Sequence, residues 1–405
     1  MFLLPDWAFD ILHEFLYQFQ GFCQFRTGVF TNASKYGPGG NLEGKSAPHH
    51  ITENIELLNK NKGAWAVESV MFYLQRLVTI GSTSTVAAYQ YLGIFSSLTL
   101  SRLECLLGDY TSSLSALAPI NASFIVQPPR GSEADFKAMN AEEIVGSVFA
   151  AKVSMTYHAG VSYLMLRRYK DAAKVLGDMC ATMRRGFKSG SYNNIVGVEQ
   201  LNKMYDRMIT LLAIITHVCP SYALVDESVA TAVRERHGNQ LSKIAAGEEG
   251  YEDLFIYACP KFINPAVPKY DDALTKGASH SFDTVYKLQV NHFMNEMSNQ
   301  QTLMKLRSYM KLYTSISVEK LGRLVSEEDF ESLLLSYKRK TRQLECADDK
   351  SEVYGTVMDI HYFVKDGVIH VDEAEKQNRF ENYFMSQISQ STDILKDVEP
   401  VSVEI

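Results

Sequence analysis

The sequence predicts a mainly α-helical protein: irregular helical repeats that end in a winged helix with a small β-hairpin wing and a C-terminal helix. Three observations lead to this fold class. Only 11 prolines occur in 405 residues, which favours long helices because proline interrupts them. Apolar residues recur at helical spacing over most of the chain. One late segment, residues 360–373, alternates like paired β-strands around an Asp-Gly turn.

The composition argues against several classes of protein. A formal net charge of −7 is unlike that of a domain that coats nucleic acid. The six cysteines are scattered without metal-site spacing, so we expect reduced thiols and neither a metal nor a cofactor. The N-terminus lacks the basic flank of a signal peptide, and the most apolar stretch, residues 208–219, is too short to span a bilayer. We expect a soluble cytoplasmic protein.

The first predicted helix is rich in aromatic residues. Asp6 can cap its N-terminus. Large apolar residues then recur at helical spacing: Trp7, Ile11, Leu12, Phe15, Leu16 and Phe19. Two interpretations stay open. Such a stripe usually packs into a core, but aromatic residues are also enriched where a partner helix docks.

Residues 31–64 are predicted as a Gly-rich loop. Within it, residues 39–46 match the phosphate-loop expression G-x-x-x-x-G-K-[ST]. That motif needs a buried strand before it and a helix directly after it. Here the preceding residues are polar and Pro48 follows shortly afterwards, so we interpret the match as chance rather than as the nucleotide site of an enzyme. His49 and His50 lack further ligands at metal spacing and are expected to be exposed loop residues.

Two helical hairpins are predicted next. The first turns at Gly108, and the second turns at Arg167. Small residues before the turn and a tyrosine after it are typical of tetratricopeptide units. Because Tyr110 and Tyr169 are not separated by a multiple of about 34 residues, we predict an irregular array. Residues 123–140 are predicted to be a linker between the hairpins.

The C-terminal module begins with a long predicted helix over residues 282–313. Ser317 can cap the short helix that follows, and Ser326 begins an S-x-x-[DE] capping box for the next. This last helix is predicted to carry an apolar face: Phe330, Leu333, Leu334, Tyr337 and Leu344. Two helices joined so closely form a helix-turn-helix.

A β-hairpin completes the predicted winged helix. Asp366-Gly367 is a strong two-residue turn signal that pairs residues 360–365 with residues 368–373. A two-stranded hairpin is marginal alone, so its apolar face needs the helices behind it or a partner's hairpin beside it. A final helix is predicted over residues 377–395. The candidate subunit interface therefore comprises Ile360, Tyr362, Val364, Ile369, Val371, Phe380, Phe384 and Ile388.

Charged residues of this module have two interpretations each. Four cations are predicted at the end of the second helix of the helix-turn-helix: Lys338, Arg339, Lys340 and Arg342. Positive charge at a helix C-terminus is favoured by the helix dipole, although the group could also contact the phosphate backbone of RNA or DNA. His361 lies opposite Asp372 in the predicted register, but no nucleophile is near, so a surface cross-strand pair is the better interpretation.

A helical array that ends in a winged helix resembles the PCI-domain family, whose members occur in the proteasome lid, the COP9 signalosome and translation initiation factor 3. Several longer sequence segments resemble segments of the subunit L family of eukaryotic translation initiation factor 3, and they occur in the same order along the chain. These segments are DILHEFLYQFQ (10–20), LLGDY (106–110), YLMLRRYKDA (163–172), CPKF (259–262) and LRSYMKLYT (306–314).

The resemblance implies a non-catalytic scaffold subunit of a complex that binds the small ribosomal subunit and supports mRNA recruitment. It also implies subunits K and E as neighbours, reached through the hairpin and the last helix. It further implies three domains: an N-terminal helical region (1–150), a PCI domain (151–378, with repeats to 300 and the winged helix from 301) and a C-terminal bundle helix with its tail (379–405). A PCI subunit of a proteasome-lid or COP9-signalosome-type complex stays open as the alternative.

Overall fold

The computed structural model describes most of the chain in two compact units. The described residues are 3–120, 141–192, 198–219, 226–246, 250–275, 284–326, 329–346, 352–356 and 360–373, with 384, 387–388 and 391–392. The first unit comprises Met1–Cys219, Leu224–Asn299 and Glu345–Ser351; the second comprises Pro220–Ala223, Gln300–Leu344 and Glu352–Ile405. The predicted linker over 123–140 lies outside the described residues.

The described part of the first unit is almost entirely helical. Among these helices, none is long and apolar enough to cross a membrane. They are α1 (Pro5–Ser34), α2 (His49–Lys60), α3 (Val67–Thr83), α4 (Ala87–Leu107), α5 (Tyr110–Ser115), α6 (Ala141–Ser147), α7 (Phe149–Met165), α8 (Tyr169–Lys188), α9 (Val198–Val218), α10 (Glu227–Ala245), α11 (Tyr251–Ala258), α12 (Tyr270–Thr275) and α13 (Thr284–Met310), whose last turns belong to the second unit.

Both predicted helical hairpins are present. Gly108 ends α4 in the left-handed conformation, with φ of 89°. The Asp109 side chain then caps α5 by accepting a hydrogen bond from the Ser112 N–H at 3.0 Å. Arg167, with φ of 62°, lies in the turn between α7 and α8. The turn residue Tyr169 is 2% exposed, as expected of a tyrosine that anchors a helical hairpin.

One core cluster of the first unit joins helices that are far apart in sequence. It contains Leu16 of α1, Phe95 and Leu103 of α4, and Ala151 of α7, each fully buried. Residue 150, the predicted end of the N-terminal region, lies inside α7, and α7 contributes to a core that this region shares with it.

The predicted loop over residues 31–64 is wrong in extent. Helix α1 continues to Ser34, and α2 occupies His49–Lys60. The missed signal is the i, i+4, i+7 spacing of Ile51, Ile55 and Leu58, which are all buried. His49 and His50 are therefore the exposed first residues of a helix rather than loop residues.

Helices α3 and α4 approach each other through two glycines. A Cβ atom added at Gly93 would lie 2.7 Å from the Cα atom of Gly81, a distance at which the backbones must separate. We predict that Gly93→Ala lowers the free energy of unfolding by about 1–3 kcal/mol through overpacking. The matched control is Gly238→Ala in α10, where no atom lies within 4 Å of the added Cβ. Because alanine favours a helix over glycine by roughly 0.5–1 kcal/mol, this control should be neutral or stabilising in chemical denaturation; equal losses in both variants would contradict the close approach.

Two neutral histidines lie beside a buried arginine at the junction of α1, α4 and α7. His13 Nδ1 lies 3.0 Å from Arg102 Nη1, and His158 Nδ1 lies 2.7 Å from the Ser154 carbonyl oxygen. Burial, with the Arg102 charge adding to it, lowers the pKa of His13 to about 4 and that of His158 to about 3. Both imidazoles are thus neutral in the folded protein near pH 7.

We predict that acid destabilises the first unit through these histidines. An unfolded histidine titrates near pH 6.5, so between there and the folded pKa the unfolded chain binds more protons. Stability is therefore complete above about pH 6.5 and falls as the pH falls, by about 2 kcal/mol at pH 5 for the fully buried His158. Denaturation curves of the wild type and of the double variant His13→Asn with His158→Asn, measured at about pH 6.5 and at pH 5, test this prediction. The variant should lose less stability on acidification, and an identical loss would contradict the assignment.

Candidate functional site

The second unit is a winged helix. Its elements follow the end of α13 as β1 (Ser315–Ser317), α14 (Val318–Val325), α15 (Phe330–Lys340), β2 (Arg342–Cys346), β3 (Glu352–Thr356), β4 (Ile360–Lys365) and β5 (Val368–Glu373). Strands β4 and β5 form the predicted hairpin, and β1 adds to β5, so the sheet order is β1-β5-β4. Strands β2 and β3 pair separately.

The hairpin register is confirmed residue by residue. Tyr362 pairs with Val371, and His361 pairs with Asp372. The turn has positive φ at both central residues, 51° at Asp366 and 73° at Gly367, the conformation for which Asp-Gly is favoured because it matches the twist of the strands.

Of the three predicted helix caps, that of Ser317 is correct and those of Asp6 and Ser326 are wrong. Asp6 lies within the first turn of α1, which begins at Pro5 without a side-chain cap. The Ser317 hydroxyl accepts a hydrogen bond from the Lys320 N–H at 3.3 Å and caps α14. Ser326 does not cap α15, because it ends α14 in the left-handed conformation with φ of 62°. Asp329 caps α15 instead, accepting from the Ser332 N–H at 3.2 Å. Helix α15 therefore begins later than the capping-box pattern predicts.

Three short strands escape the sequence prediction. Strand β1 pairs Ile316 with Ile369, and only this one residue of the strand is buried, so its alternation is too short to detect. Leu344 and Arg342 lie on β2, beyond the end of α15 at Lys340. The predicted apolar helix face therefore loses Leu344, and the predicted cationic helix end loses Arg342.

The apolar face of the hairpin is the inner face of the wing. Ile360 and Ile369 are both 0% exposed and pack with Leu321 of α14 and Tyr337 of α15. The Tyr362 hydroxyl donates to the Leu334 carbonyl oxygen at 2.6 Å, and burial raises the pKa of Tyr362 to about 12. Val371 packs against the same core. These four residues of the predicted interface therefore pack against helices of the same chain. The prediction is corrected accordingly: this face of the hairpin is a core face rather than a docking face for a partner.

Among the described residues, the part of the hairpin that stays open is the outer face and outer edge of β4. Phe363 is 59% exposed and Val364 is 51% exposed. The Phe363 ring stacks on the His370 ring with 4.9 Å between centroids. Among the described strands, β4 pairs only with β5, so its other backbone edge is available to a further strand.

The predicted last helix is described only in fragments. Phe384 and Ile388, four positions apart, are 59% and 58% exposed. Phe380 lies outside the described residues. Two side chains four residues apart lie on one face of a helix. The exposed pair therefore forms a small apolar surface that follows the wing in the sequence.

The cationic cluster is divided between a helix and a strand. Lys338 and Arg339 are exposed in the last turn of α15, and Lys340 is half-buried there. The Arg342 guanidinium lies over the Tyr354 ring, 5.3 Å from its centroid, and the ring is 68% exposed. An exposed pairing of guanidinium and aromatic ring beside two cations is a surface that suits phosphate and base contacts.

The phosphate-loop match lacks the structure that the motif needs. Residues 39–46 follow helix α1 rather than a strand, and α2 starts only at His49. The Gly39 N–H donates to Glu43 Oε2 at 3.0 Å, so one of its amides is occupied by the loop itself. In the described part of the chain, no three His, Cys, Asp or Glu side chains are grouped to hold a metal ion.

A separate cavity of about 310 Å³ lies in the first unit between α1, the segment after Cys259 and the start of α13. Uncharged side chains line it, among them Gln24, Thr27 and Asn264. None of the candidate site residues predicted from the sequence lines this cavity. Helix α1, which the sequence predicts as an aromatic-rich helix, forms one of its walls.

Comparisons with known proteins agree along the length of the chain. The family model described as RNA polymerase I-associated factor PAF67 matches residues 1–391. Eukaryotic translation initiation factor 3 subunit L of Xenopus tropicalis is 29% identical over 426 residues, which cover 98% of this chain and 68% of that protein. The subunit L proteins of Gallus gallus and Nematostella vectensis are 30% and 27% identical, with 95% and 98% of this chain covered and 66% and 73% of theirs. The chain thus spans about two thirds of the length of these relatives.

We predict that truncating a buried residue of the wing lowers its stability and that truncating an exposed one does not. Ile369→Ala should lower the stability of the second unit by about 2–4 kcal/mol, because a fully buried side chain is truncated. Phe363→Ala should change it by less than about 0.5 kcal/mol, because that ring is mostly exposed. Hydrogen exchange of the β4 and β5 amides measures the second unit by itself. Equal protection in both variants would show that the faces are assigned wrongly.

Proposed function

The chain belongs to the PAF67 family, whose model matches residues 1–391, and we propose that it is a non-catalytic scaffold subunit of eukaryotic translation initiation factor 3. The observation that carries the proposal is the similarity to subunit L proteins over 95–98% of the chain, in animals as distant as Xenopus and Nematostella. The architecture is consistent with it, since helical repeats followed by a winged helix expose several surfaces for assembly.

The winged helix supplies the assembly surface in this proposal. A free β-edge gives a partner a row of backbone hydrogen bonds, and neighbouring apolar side chains give specificity. The edge of β4 with Phe363 and Val364 has both features. We therefore move the proposed contact from the inner face of the wing to this edge and keep Phe384 and Ile388 as the exposed part of a bundle helix.

The finer elements of the proposal rest on the family resemblance. Subunits K and E are the proposed neighbours, and the small ribosomal subunit is the proposed platform on which the complex supports mRNA recruitment in the cytoplasm. Lys338, Arg339, Lys340 and Arg342 form a second, cationic surface that we propose as a contact for the RNA phosphate backbone. The two proposed contacts differ in chemistry, because one relies on backbone groups and apolar side chains and the other on positive charge.

Affinity purification of the tagged full chain tests the proposal. We expect the stoichiometric partners to be initiation factor 3 subunits, with K and E retained longest as salt is raised. In a sucrose gradient the tagged chain should sediment with small ribosomal subunits. Recovery of proteasome-lid or COP9-signalosome subunits would instead favour the alternative PCI assembly, and recovery of the chain alone would contradict the scaffold role.

We predict that Val364→Lys disrupts assembly without unfolding the chain. Lysine on an edge strand opposes the addition of another strand, so recovery of the wing-bound partner should fall about tenfold or more. The matched control is Leu335→Lys, which places the same charge at a 63% exposed leucine of α15. Partner recovery is measured by quantitative purification, with circular dichroism as the check on folding. If both variants keep their partners, β4 is not the contact.

A further inference from the structure

Helix α1 divides its apolar residues between the core and the solvent. Leu12, Leu16 and Phe19 are 4%, 0% and 0% exposed and belong to the core cluster of the first unit that α1 shares with α4 and α7. Trp7 and Ile11 of the same predicted stripe are 64% and 55% exposed. The stripe is therefore two adjoining faces, of which the chain covers only one.

The exposed face comprises Leu4, Trp7 and Ile11. Trp7 and Ile11, four positions apart, lie on one side of α1, and Leu4 is the extended residue that directly precedes the helix. Leu4 is 46% exposed. Three large apolar side chains so close in the sequence, one of them a tryptophan, have the composition of an interface centre rather than of scattered surface residues.

The border of this face is acidic. Asp6, Asp10 and Glu14 are exposed in the same turns. The only arginine or lysine of α1 is Arg26, and it is 2% exposed. His13 carries no compensating charge near pH 7, since burial together with the neighbouring Arg102 lowers its pKa. A partner that covers the apolar row thus meets three carboxylates and no cation of this helix.

A glycine further along α1 leaves room for a close neighbour. Gly21 lies in the interior of the helix, where glycine costs roughly 0.5–1 kcal/mol relative to alanine. It is exposed, and apart from its own stretch of α1 no atom of the described residues lies within 4 Å of a Cβ added there. Packing within the chain therefore gives no reason for glycine at this position, whereas the backbone of a docked helix would.

We propose that the outer face of α1, defined by Leu4, Trp7 and Ile11, docks an amphipathic helix of a partner protein whose apolar stripe is bordered by lysine or arginine. Charge selects this occupant from the others. A second copy of the chain would bring the same carboxylates against each other, and an anionic membrane would be repelled by them. A basic helix gains from both parts of the surface, with the apolar row giving affinity and the carboxylates giving orientation and association rate. The proposal concerns the first unit and does not rest on the function proposed for the wing.

A displayed library of amphipathic helices tests the charge rule while the partner is still unidentified. Each member has about 18 residues, or five turns, with an invariant leucine stripe and lysine, glutamate or glutamine at each bordering position. The library is selected on the immobilised full chain and counter-selected on the variant Trp7→Ser with Ile11→Ser. We expect the retained helices to be enriched in lysine at the border. Enrichment in glutamate, no preference, or no enrichment over the counter-selected variant would overturn the proposal.

Binding of one enriched peptide, followed by fluorescence anisotropy, then locates the site. The variant Trp7→Ser with Ile11→Ser should weaken binding about tenfold or more. The matched control is Phe72→Ser on α3, which removes another aromatic ring that is 61% exposed and should leave affinity unchanged. Asp10→Lys with Glu14→Lys should change the preference from the lysine-bordered peptide to its glutamate-bordered counterpart. Gly21→Leu should weaken binding while the helix content is retained, and unchanged binding in the three variants of the α1 face would overturn the assignment.

Tryptophan emission provides a readout at the face itself. The chain has two tryptophans, and Trp65 packs against Phe15 with 5.3 Å between ring centroids. In a Trp65→Phe background, emission comes from Trp7 alone and should shift to the blue when the peptide covers it. A shift caused by phosphatidylserine vesicles, or by raising the concentration of the chain itself, would identify a membrane or a second copy as the occupant and would refute the proposal.

Discussion

Close packing around α4 is the constraint on which the first unit depends. This helix packs against α1, α3, α5, α6 and α7, so it needs small side chains on several of its faces. Gly93, Ser97 and Ser101 are small residues at successive turns, and both serine hydroxyls are hydrogen-bonded: that of Ser97 donates to the Ala116 carbonyl oxygen at 2.5 Å, and that of Ser101 lies 3.2 Å from the Ser113 hydroxyl. Because buried polar groups are costly unless they are hydrogen-bonded, small hydroxylated residues allow close approach without a penalty.

Local signals explain which parts of the fold could be predicted from the sequence. The Asp366-Gly367 turn determines a register by itself, since both of its residues adopt positive φ readily. Gly108 ends a helix for a related reason. Such signals depend on a few consecutive residues, and they are confirmed in the structure. The short strand β1 depends instead on pairing with β5, more than fifty positions later in the chain, and no local pattern could reveal it.

The candidate interface shows why burial is harder to predict than register. Alternation correctly separated the residues of the hairpin into two faces, yet it could not say whether the apolar face meets the chain's own helices or a neighbour. Ile360 and Ile369 are covered by α14 and α15, and Val364, on the same predicted face, is left out beyond the end of that core. The same limit applies to α1. Its broad apolar stripe contains one face that packs into the core and one that is exposed, and the spacing of the residues does not distinguish them. Hydrophobic periodicity reports that a face is apolar, whereas the identity of what covers it is a tertiary property.

The two exposed surfaces differ in the physics by which they would hold a partner. An edge strand binds chiefly through backbone groups, which every sequence possesses, so selectivity must come from side chains next to the edge such as Phe363. Beyond its first turn, the backbone groups of α1 are used in helical hydrogen bonds, so its outer face must rely chiefly on side chains and charge. Salt largely screens exposed charges that lie further apart than a Debye length of about 8–10 Å, whereas it leaves backbone hydrogen bonds largely intact. Added salt should therefore slow the association of a partner with the acidic border of α1 more than association at β4, and this difference allows the two attachments to be distinguished.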